Sequence, residues 1–449
     1  MVYEGERVAE VVTGNVLVDE LHRDSISITI LYGSGGGGHK ASAFALRDVF
    51  SASYPSSSIH LYDASKIVQA GFGDSLYNWL IQHSLSNVMP LLYSIVSILQ
   101  PIITKQHIHL IKQFFLSQNT STPDLVVSFV PFLNSALCEA LPNTKHITVI
   151  TDFTTSQAHP WMQHPRQILC CGTTTLYNQA LALGYNSERV FRLSGMIVRP
   201  EFYQSSNTSM PEELISIQNT LPDSRDQERG RLTFLLLFGG APSTQLVETA
   251  AYSLAFSAKV SHNVVCICGY NGELLQKLTK KAEAMQSNSS ESHGRLIAVG
   301  FRQDIASFMS HCDVICTKPG PGVVAEALVV RKAALILLVP NGEVMPQERA
   351  VLQWVKNEGV GIVVNSIDEL CAISREQIQN SVKKMLQMGV NRAVYELTEI
   401  VYRVATNNPV PPLNTERELT HKHYLNTVLS RNPLMLQHDA SQLATLRFL

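Results

Sequence analysis

From residue 26 onward, short runs rich in β-branched and aliphatic residues alternate with segments of helix length, and the whole alternation occurs twice. Strands separated by helices cannot pair as hairpins; they pair in parallel, with the crossovers covering the sheet faces. In the first half the pattern predicts strands over 26–32, 59–62, 125–129, 146–151, 167–171 and 191–193. In the second half it predicts 233–238, 263–268, 296–299, 313–317, 334–339 and 360–363. Between the halves, residues 204–231 are rich in Ser, Asn, Thr, Pro and charge and read as a linker. The expected organisation is an extension over 1–25, a doubly wound domain over 26–203, the linker 204–231, a second doubly wound domain over 232–407 and a tail over 408–449. Two Rossmann-like α/β domains are thus expected to face one another across a cleft.

Composition narrows the partners. Of 449 residues, 45% are hydrophobic and 16% charged, which excludes a disordered chain. Lys and Arg number 35 against 37 Asp and Glu, so the basic excess of a nucleic-acid binder is absent and nucleic acid is not an expected partner. The eight cysteines include no CxxC pair, which argues against zinc and a disulfide framework and for reduced core thiols in a cytosolic protein. The opening residues MVYEGERVAEVV carry acid where a secretory signal carries base, so no signal peptide is expected. The apolar stretch 323–340 is broken by Glu326, Arg331 and Lys332, short of the roughly 18–20 continuous apolar residues that cross a bilayer.

One region departs from the rest. Residues 64–118 hold only Lys66, Asp74, Lys105 and Lys112 as charged groups, yet include Phe72, Tyr77, Trp79, Tyr93, Phe114 and Phe115. Two readings stay open: helices buried against the first sheet, or a surface whose aromatic and apolar side chains dip into a membrane interface.

Two glycine loops carry the candidate chemistry. Gly33-Ser-Gly-Gly-Gly-Gly-His39 follows a predicted strand and precedes a predicted helix, so backbone N–H groups can approach an anion with no Cβ in the way. It also fits GxGxxG, with Asp63 at the end of the next strand where a ribose-binding acid of a dinucleotide site would stand. His39 puts a titratable imidazole at the loop's mouth, either as a proton acceptor or as a helix-start residue facing solvent. In the second half, Thr317-Lys-Pro-Gly-Pro-Gly322 opens another predicted helix, a natural seat for a diphosphate. Glu326, one turn on, suits either two ribose hydroxyls or the helix dipole alone, and Pro346-Gln-Glu-Arg349 suits sugar hydroxyls or a plain exposed helix start. No Asp-any-Asp triplet occurs, so a metal-bridged diphosphate of that kind is unsupported.

Taken in order, Gly36-Gly-Gly-His-Lys-Ala-Ser42, Thr151-Asp-Phe-Thr-Thr155, Gly195-Met-Ile-Val-Arg-Pro200, Cys268-Gly-Tyr-Asn271, Gly300-Phe301 and Thr317-Lys-Pro-Gly-Pro-Gly-Val-Val-Ala-Glu-Ala327 resemble the monogalactosyldiacylglycerol synthases. Bacterial diacylglycerol glucosyltransferases and, more distantly, the lipid-linked N-acetylglucosaminyltransferase of peptidoglycan synthesis share the pattern, all within glycosyltransferase family 28. The resemblance covers about residues 26–400 and implies a GT-B fold with inverting, metal-independent transfer of a hexose, galactose or glucose, from a UDP-sugar to diacylglycerol. It implies a peripheral protein on the cytoplasmic side of a membrane, with no cofactor. By residue it implies His39 as general base with Asp152 on the acceptor side, and Gly36, Gly37 and Gly38 lining the cleft. Phe301 corresponds to the uracil-reading turn, Gly320, Gly322 and Val323 to the diphosphate seat, Glu326 to the ribose-binding acid, and Gln347 with Glu348 to the donor-sugar pair. His159-Pro-Trp161 is similar to an acceptor-side segment with shifted spacing, and residues 238–243 and 341–348 depart from the family pattern. Two other readings stand beside this one: an NAD-dependent oxidoreductase using Gly33–Gly38 with Asp63, and a non-catalytic GT-B protein that binds lipid or nucleotide.

Overall fold

The computed structural model describes residues 26–33, 37–68, 89–117, 122–154, 159–204, 209–219, 231–240, 242–257, 261–288, 293–342, 344 and 346–410. Among these residues the first sheet comprises β1 (Ser27–Tyr32), β2 (Ser58–Asp63), β3 (Leu125–Phe129), β4 (Lys145–Ile150), β5 (Ile168–Cys171) and β6 (Val190–Arg192). The second comprises β7 (Thr233–Leu237), β8 (Asn263–Ile267), β9 (Leu296–Val299), β10 (Val314–Thr317), β11 (Ala334–Leu338) and β12 (Ile362–Val364). Each strand begins and ends within about two residues of the position the alternation predicts, inside the usual latitude of element boundaries. The reason is visible in the residues: β3 is Leu-Val-Val-Ser-Phe and β11 is Ala-Leu-Ile-Leu-Leu, every position of both is buried, and such unbroken runs belong to parallel strands covered on both faces.

All the strand pairings are parallel, in the orders β2-β1-β3-β4-β5-β6 and β12-β11-β10-β7-β8-β9. In each sheet the winding reverses once, between β1 and β3 and between β7 and β10. At such a reversal the crossovers leave on opposite faces, and a crevice opens beyond the carboxyl ends of the two strands. Both glycine loops fall there, one after β1 and one after β10.

The halves are tied together by the last described helix, Ala393–Ala405. It follows the second sheet in sequence but packs on the helix Gly37–Ser53 and on β3 and β4 of the first. Its residues from Ala393 to Val401 are all buried, two of them acidic. Burial of a carboxylate is costly unless it is bonded, and both are: Ser194 N donates to Glu396 Oε2 at 2.7 Å, and Tyr54 Oη donates to Glu399 Oε2 at 2.7 Å. One apolar cluster consequently runs from Ile28, Ile30 and Val127 through Leu397 and Val401 to Leu235, Leu237 and Val265.

The described part of the charge-poor region holds both buried and exposed apolar side chains. On the helix Met89–Ser117, Ile111 is buried, Phe114 and Phe115 pack against the cluster of Leu31, Val126 and Leu137, and Phe114 meets Tyr62 edge-on at 5.0 Å. Ile102 and Leu116, by contrast, are 69% and 78% exposed. Phe72, Tyr77 and Trp79 lie outside the described residues. Among those described, no helix is long and apolar enough to cross a membrane. The eight cysteines are free thiols, seven of them buried, and burial pushes Cys138 and Cys171 up to about 12.

Candidate active site

The two glycine loops meet. Gly37 and Gly38 open the helix Gly37–Ser53, and a Cβ on either would find nothing within 4 Å, so this helix start faces open space. Opposite it begins the helix Pro321–Val330, with Gly320 as an N-cap that supplies no side-chain bond and Pro321 in the first position. Its first-turn N–H groups therefore have no side-chain partner at the cap and point out of the helix, the arrangement that attracts an anion. A Cβ on Gly322 would lie 3.8 Å from Gly38 Cα, so the loops touch with no side chain between them. Ser42, Thr151, Ile197 and Ala325 line the small cavity beside that contact. Gly36 lies outside the described residues.

On the first-domain side, His39 Nδ1 is 2.7 Å from Thr151 Oγ1, and its ring centroid is 5.5 Å from that of Trp161. Burial lowers the imidazole to about 4, so it is neutral at physiological pH. Trp161 is fully buried and its Nε1–H donates to Asp152 Oδ2 at 2.5 Å, while Thr154 N donates to Asp152 Oδ1 at 2.9 Å. Burial raises the Asp152 carboxyl and these two bonds oppose the rise. Asp152 thus fixes Trp161, and Trp161 lies against His39. His159 sits beneath, its Nδ1 accepting from Trp161 N at 3.2 Å and from Met162 N at 3.3 Å, so the shifted His-Pro-Trp segment is held as a tight turn.

On the second-domain side, burial raises Glu326 to about 7, and the Arg199 guanidinium, reaching over from the first domain at 3.9 Å, pulls the other way. Arg199 also binds Glu201 at 2.8 Å. Glu348, in the first turn of the helix Pro346–Glu358, is buried and bonded to Lys318 of the glycine loop at 3.1 Å; Gln347 is its neighbour on that turn. Val323 is partly buried against the core. Phe301 stacks on Tyr270, with ring centroids 4.4 Å apart and planes 13° from parallel, and both rings are open to solvent. The loops carrying this pair fit closely because Gly269 has φ +59° and no Cβ, which would stand 2.5 Å from Gly240 O.

The structure therefore gathers His39, Gly37, Gly38, Gly320, Gly322, Val323 and Glu326 around the contact of the two loops. Phe301 stands at the β9 end of the second sheet, and Glu348 is tied to Lys318 beside β10. The reading of the residues left out Thr151, Arg199, Lys318 and Tyr270. Each lies within or beside one of the ordered motifs, but partners as far apart as His39 and Thr151, 112 positions, leave no spacing signal. Asp63 accepts from Ser65 N at 3.1 Å and from Ser65 Oγ at 2.7 Å, capping the next short helix, which accounts for an acid at that place without a ribose.

Two doubly wound parallel domains, each offering its switch-point loop to a shared cleft, define the GT-B architecture. Residues 234–397 match the glycosyltransferase family 28 C-terminal domain. Over 425 residues the chain is 24% identical to monogalactosyldiacylglycerol synthase 3, chloroplastic, of Arabidopsis thaliana, spanning 87% of this chain and 84% of that protein. Monogalactosyldiacylglycerol synthase 1 of the same plant is 26% identical over 402 residues, 84% of this chain and 69% of that one. Among solved structures, MurG of Acinetobacter baumannii shares the fold with a TM-score of 0.52 at 12% identity, over 84% of this chain and 99% of the other. The protein is a glycosyltransferase, similar along most of its length to the family its ordered motifs resemble.

Proposed function

We propose that the protein transfers a hexose, galactose or glucose, from a UDP-sugar to the hydroxyl of diacylglycerol with inversion at the anomeric carbon. The apposition of His39 and the uncapped helix start at Gly320 across the Gly38–Gly322 contact carries the reading, since it sets a neutral base against a seat for a leaving diphosphate. His39 removes the acceptor proton as the acceptor oxygen attacks. The N–H groups around Gly320, Gly322 and Val323, with Arg199, take the charge that develops on UDP. Glu326 accepts from the ribose, Phe301 holds the base, and Gln347 with Glu348 faces the sugar. Gly36 to Gly38, Asp152 and Trp161 shape the acceptor side. In this reading the UDP-sugar is a substrate and neither metal nor cofactor takes part. The names of the relatives, monogalactosyldiacylglycerol synthases, support the lipid acceptor. The exposed Ile102 and Leu116 on a charge-poor helix support a peripheral seat, on the cytoplasmic face of a membrane.

The test is transfer of label from UDP-galactose and from UDP-glucose into vesicles containing diacylglycerol. A labelled, chloroform-soluble product from one donor is expected. No product from either, together with thermal protection by NAD and none by UDP, would replace this reading with that of an oxidoreductase; UDP protection without product would leave a nucleotide-binding protein.

A further inference from the structure

We infer that Thr151 is the positioning residue of the base: its hydroxyl accepts the Nδ1 proton of His39 and so presents the Nε2 lone pair to the acceptor. The inference rests on His39 acting as the base. A neutral imidazole carries one proton, and the partner of one nitrogen decides which nitrogen is free. If Thr151 donated to Nδ1, the proton would sit on Nε2, and that atom could accept nothing. With Nδ1–H donating at 2.7 Å, Nε2 is the acceptor. Thr151 is well placed for the task because it directly follows β4, whose pairing with β3 and β5 fixes its backbone, and because it is buried beside the contact of the glycine loops. Trp161, lying 55° to the imidazole plane, sets the tilt of the ring.

A hydroxyl in this position acts differently from a carboxylate. It orients the ring and accepts one hydrogen bond from the imidazolium but brings no negative charge to hold it, so burial keeps the imidazole lowered. The charges around it are turned elsewhere: Asp152 to Trp161 and Thr154, Lys40 over the Phe44 ring at 5.5 Å, Arg199 and Glu326 to one another. In the step, the acceptor O–H proton passes to Nε2 while the oxygen's electron pair forms the bond to the anomeric carbon. The bond from that carbon to the phosphate oxygen breaks, its pair leaving on UDP. The imidazolium keeps its Nδ1–H bond to Thr151 and returns the Nε2 proton to water.

The experiment compares wild type with Thr151→Val, Thr151→Ser and Thr151→Asp by two readouts. The imidazole 15N shifts of His39, assigned by their loss in His39→Gln, report its tautomer without any turnover. Wild type and Thr151→Ser are expected to hold the Nδ1–H form, and Thr151→Val to lose that preference. Turnover in Thr151→Val should fall about tenfold, the rate equivalent of one hydrogen bond, with UDP affinity unchanged and recovery in Thr151→Ser. Thr151→Asp should move the acid limb of the pH–rate profile to higher pH. An unaltered tautomer in Thr151→Val overturns the inference, as does a loss of turnover that Thr151→Ser does not restore. If wild type transfers no sugar, the proposed function fails, while the 15N spectra still decide what Thr151 does to His39.

Discussion

The starts of the helices Gly37–Ser53 and Pro321–Val330 are built alike and charged differently. Each follows a parallel strand at the point where its sheet reverses its winding, each is entered through glycine, at Gly37 or at the N-cap Gly320, and each carries one partly buried titratable group near its first turns. Burial drives both groups toward their neutral forms, His39 down to about 4 and Glu326 up to about 7. For an imidazole, neutral is the reactive state, and His39 stands ready over the whole physiological range. For a carboxyl, neutral is the weaker hydrogen-bond acceptor, so Glu326 reaches full strength only when something favours its charge. Arg199 at 3.9 Å does so loosely, and two ribose hydroxyls would do so directly. In the proposed function, one structural device thus yields a base that waits for nothing and a binding group that answers to its ligand.

If the two starts have these separate tasks, their losses must separate too. His39→Ala should lower turnover roughly 10²–10⁴-fold, the scale of general-base removal, and leave UDP affinity nearly intact. Single-turnover rates and calorimetric UDP binding on the same preparation measure both. A parallel collapse of affinity would mean that the first glycine loop holds the nucleotide, erasing the division.

Glu326→Ala should do the reverse, weakening UDP binding by at least about tenfold through the loss of charge-assisted hydrogen bonds. Its pH dependence follows from the raised carboxyl. Binding to the ionised form expels a proton, so wild-type UDP affinity should rise as pH climbs through about 7, and Glu326→Gln should flatten that rise. In the free protein the signs oppose. The folded state holds a proton on Glu326 that the unfolded chain has lost above 4.5, so this contribution to stability falls as pH rises toward 7. His39 is protonated in the unfolded chain below 6.5 but not in the folded one above about 4, so its contribution grows across that window. Melting scans should accordingly show stability rising more steeply with pH in Glu326→Gln and less steeply in His39→Ala.

Strands buried on both faces write themselves as nearly continuous apolar runs, which is why β3 and β11 could be located from the pattern of residues alone, and glycine loops at strand ends announce a place where backbone can approach a ligand. Partnership is written less plainly. Nothing in the run from Thr151 to Thr155 says that the hydroxyl meets His39 while the neighbouring carboxylate turns to Trp161, because successive residues after β4 diverge and only the tertiary fold decides which finds the imidazole. The helix Ala393–Ala405 follows the second sheet in sequence, and its acids would suit an exposed face; that it lies buried against β3 and β4 depends on Ser194 and Tyr54, residues far upstream.

In the proposed function the first half is also the side that meets the lipid, and the helix Met89–Ser117 supplies a smaller, separable effect. Replacing Ile102 and Leu116 with Asp should remove about 1 kcal/mol of interfacial burial for each, giving a roughly 30-fold weaker partition onto vesicles in flotation, with melting temperature held. Phe115→Ser, on a ring packed inward, should instead lower the melting temperature. Equal flotation of the Ile102/Leu116 variant and wild type would return this helix to a purely structural part.

The smallest change asks whether the two halves respond as one body. Tyr54, just beyond the helix that carries His39, donates to Glu399 at 2.7 Å and stacks on Tyr402 with centroids 4.0 Å apart, so a side chain of the first domain grips a helix that the second half contributes. Tyr54→Phe keeps the stack and removes the hydroxyl, costing about 0.5–1.5 kcal/mol. At about 2–4 °C per kcal/mol for a unit of this size, the melting temperature should drop by a few degrees, with turnover and UDP affinity unmoved. Because the helix Ala393–Ala405 completes the packing of the first sheet, UDP bound at the second should raise one common transition, in the variant as in wild type. Two resolved transitions, of which UDP shifts only one, would show that the halves unfold independently and that the shared helix is a weaker tie than its burial implies.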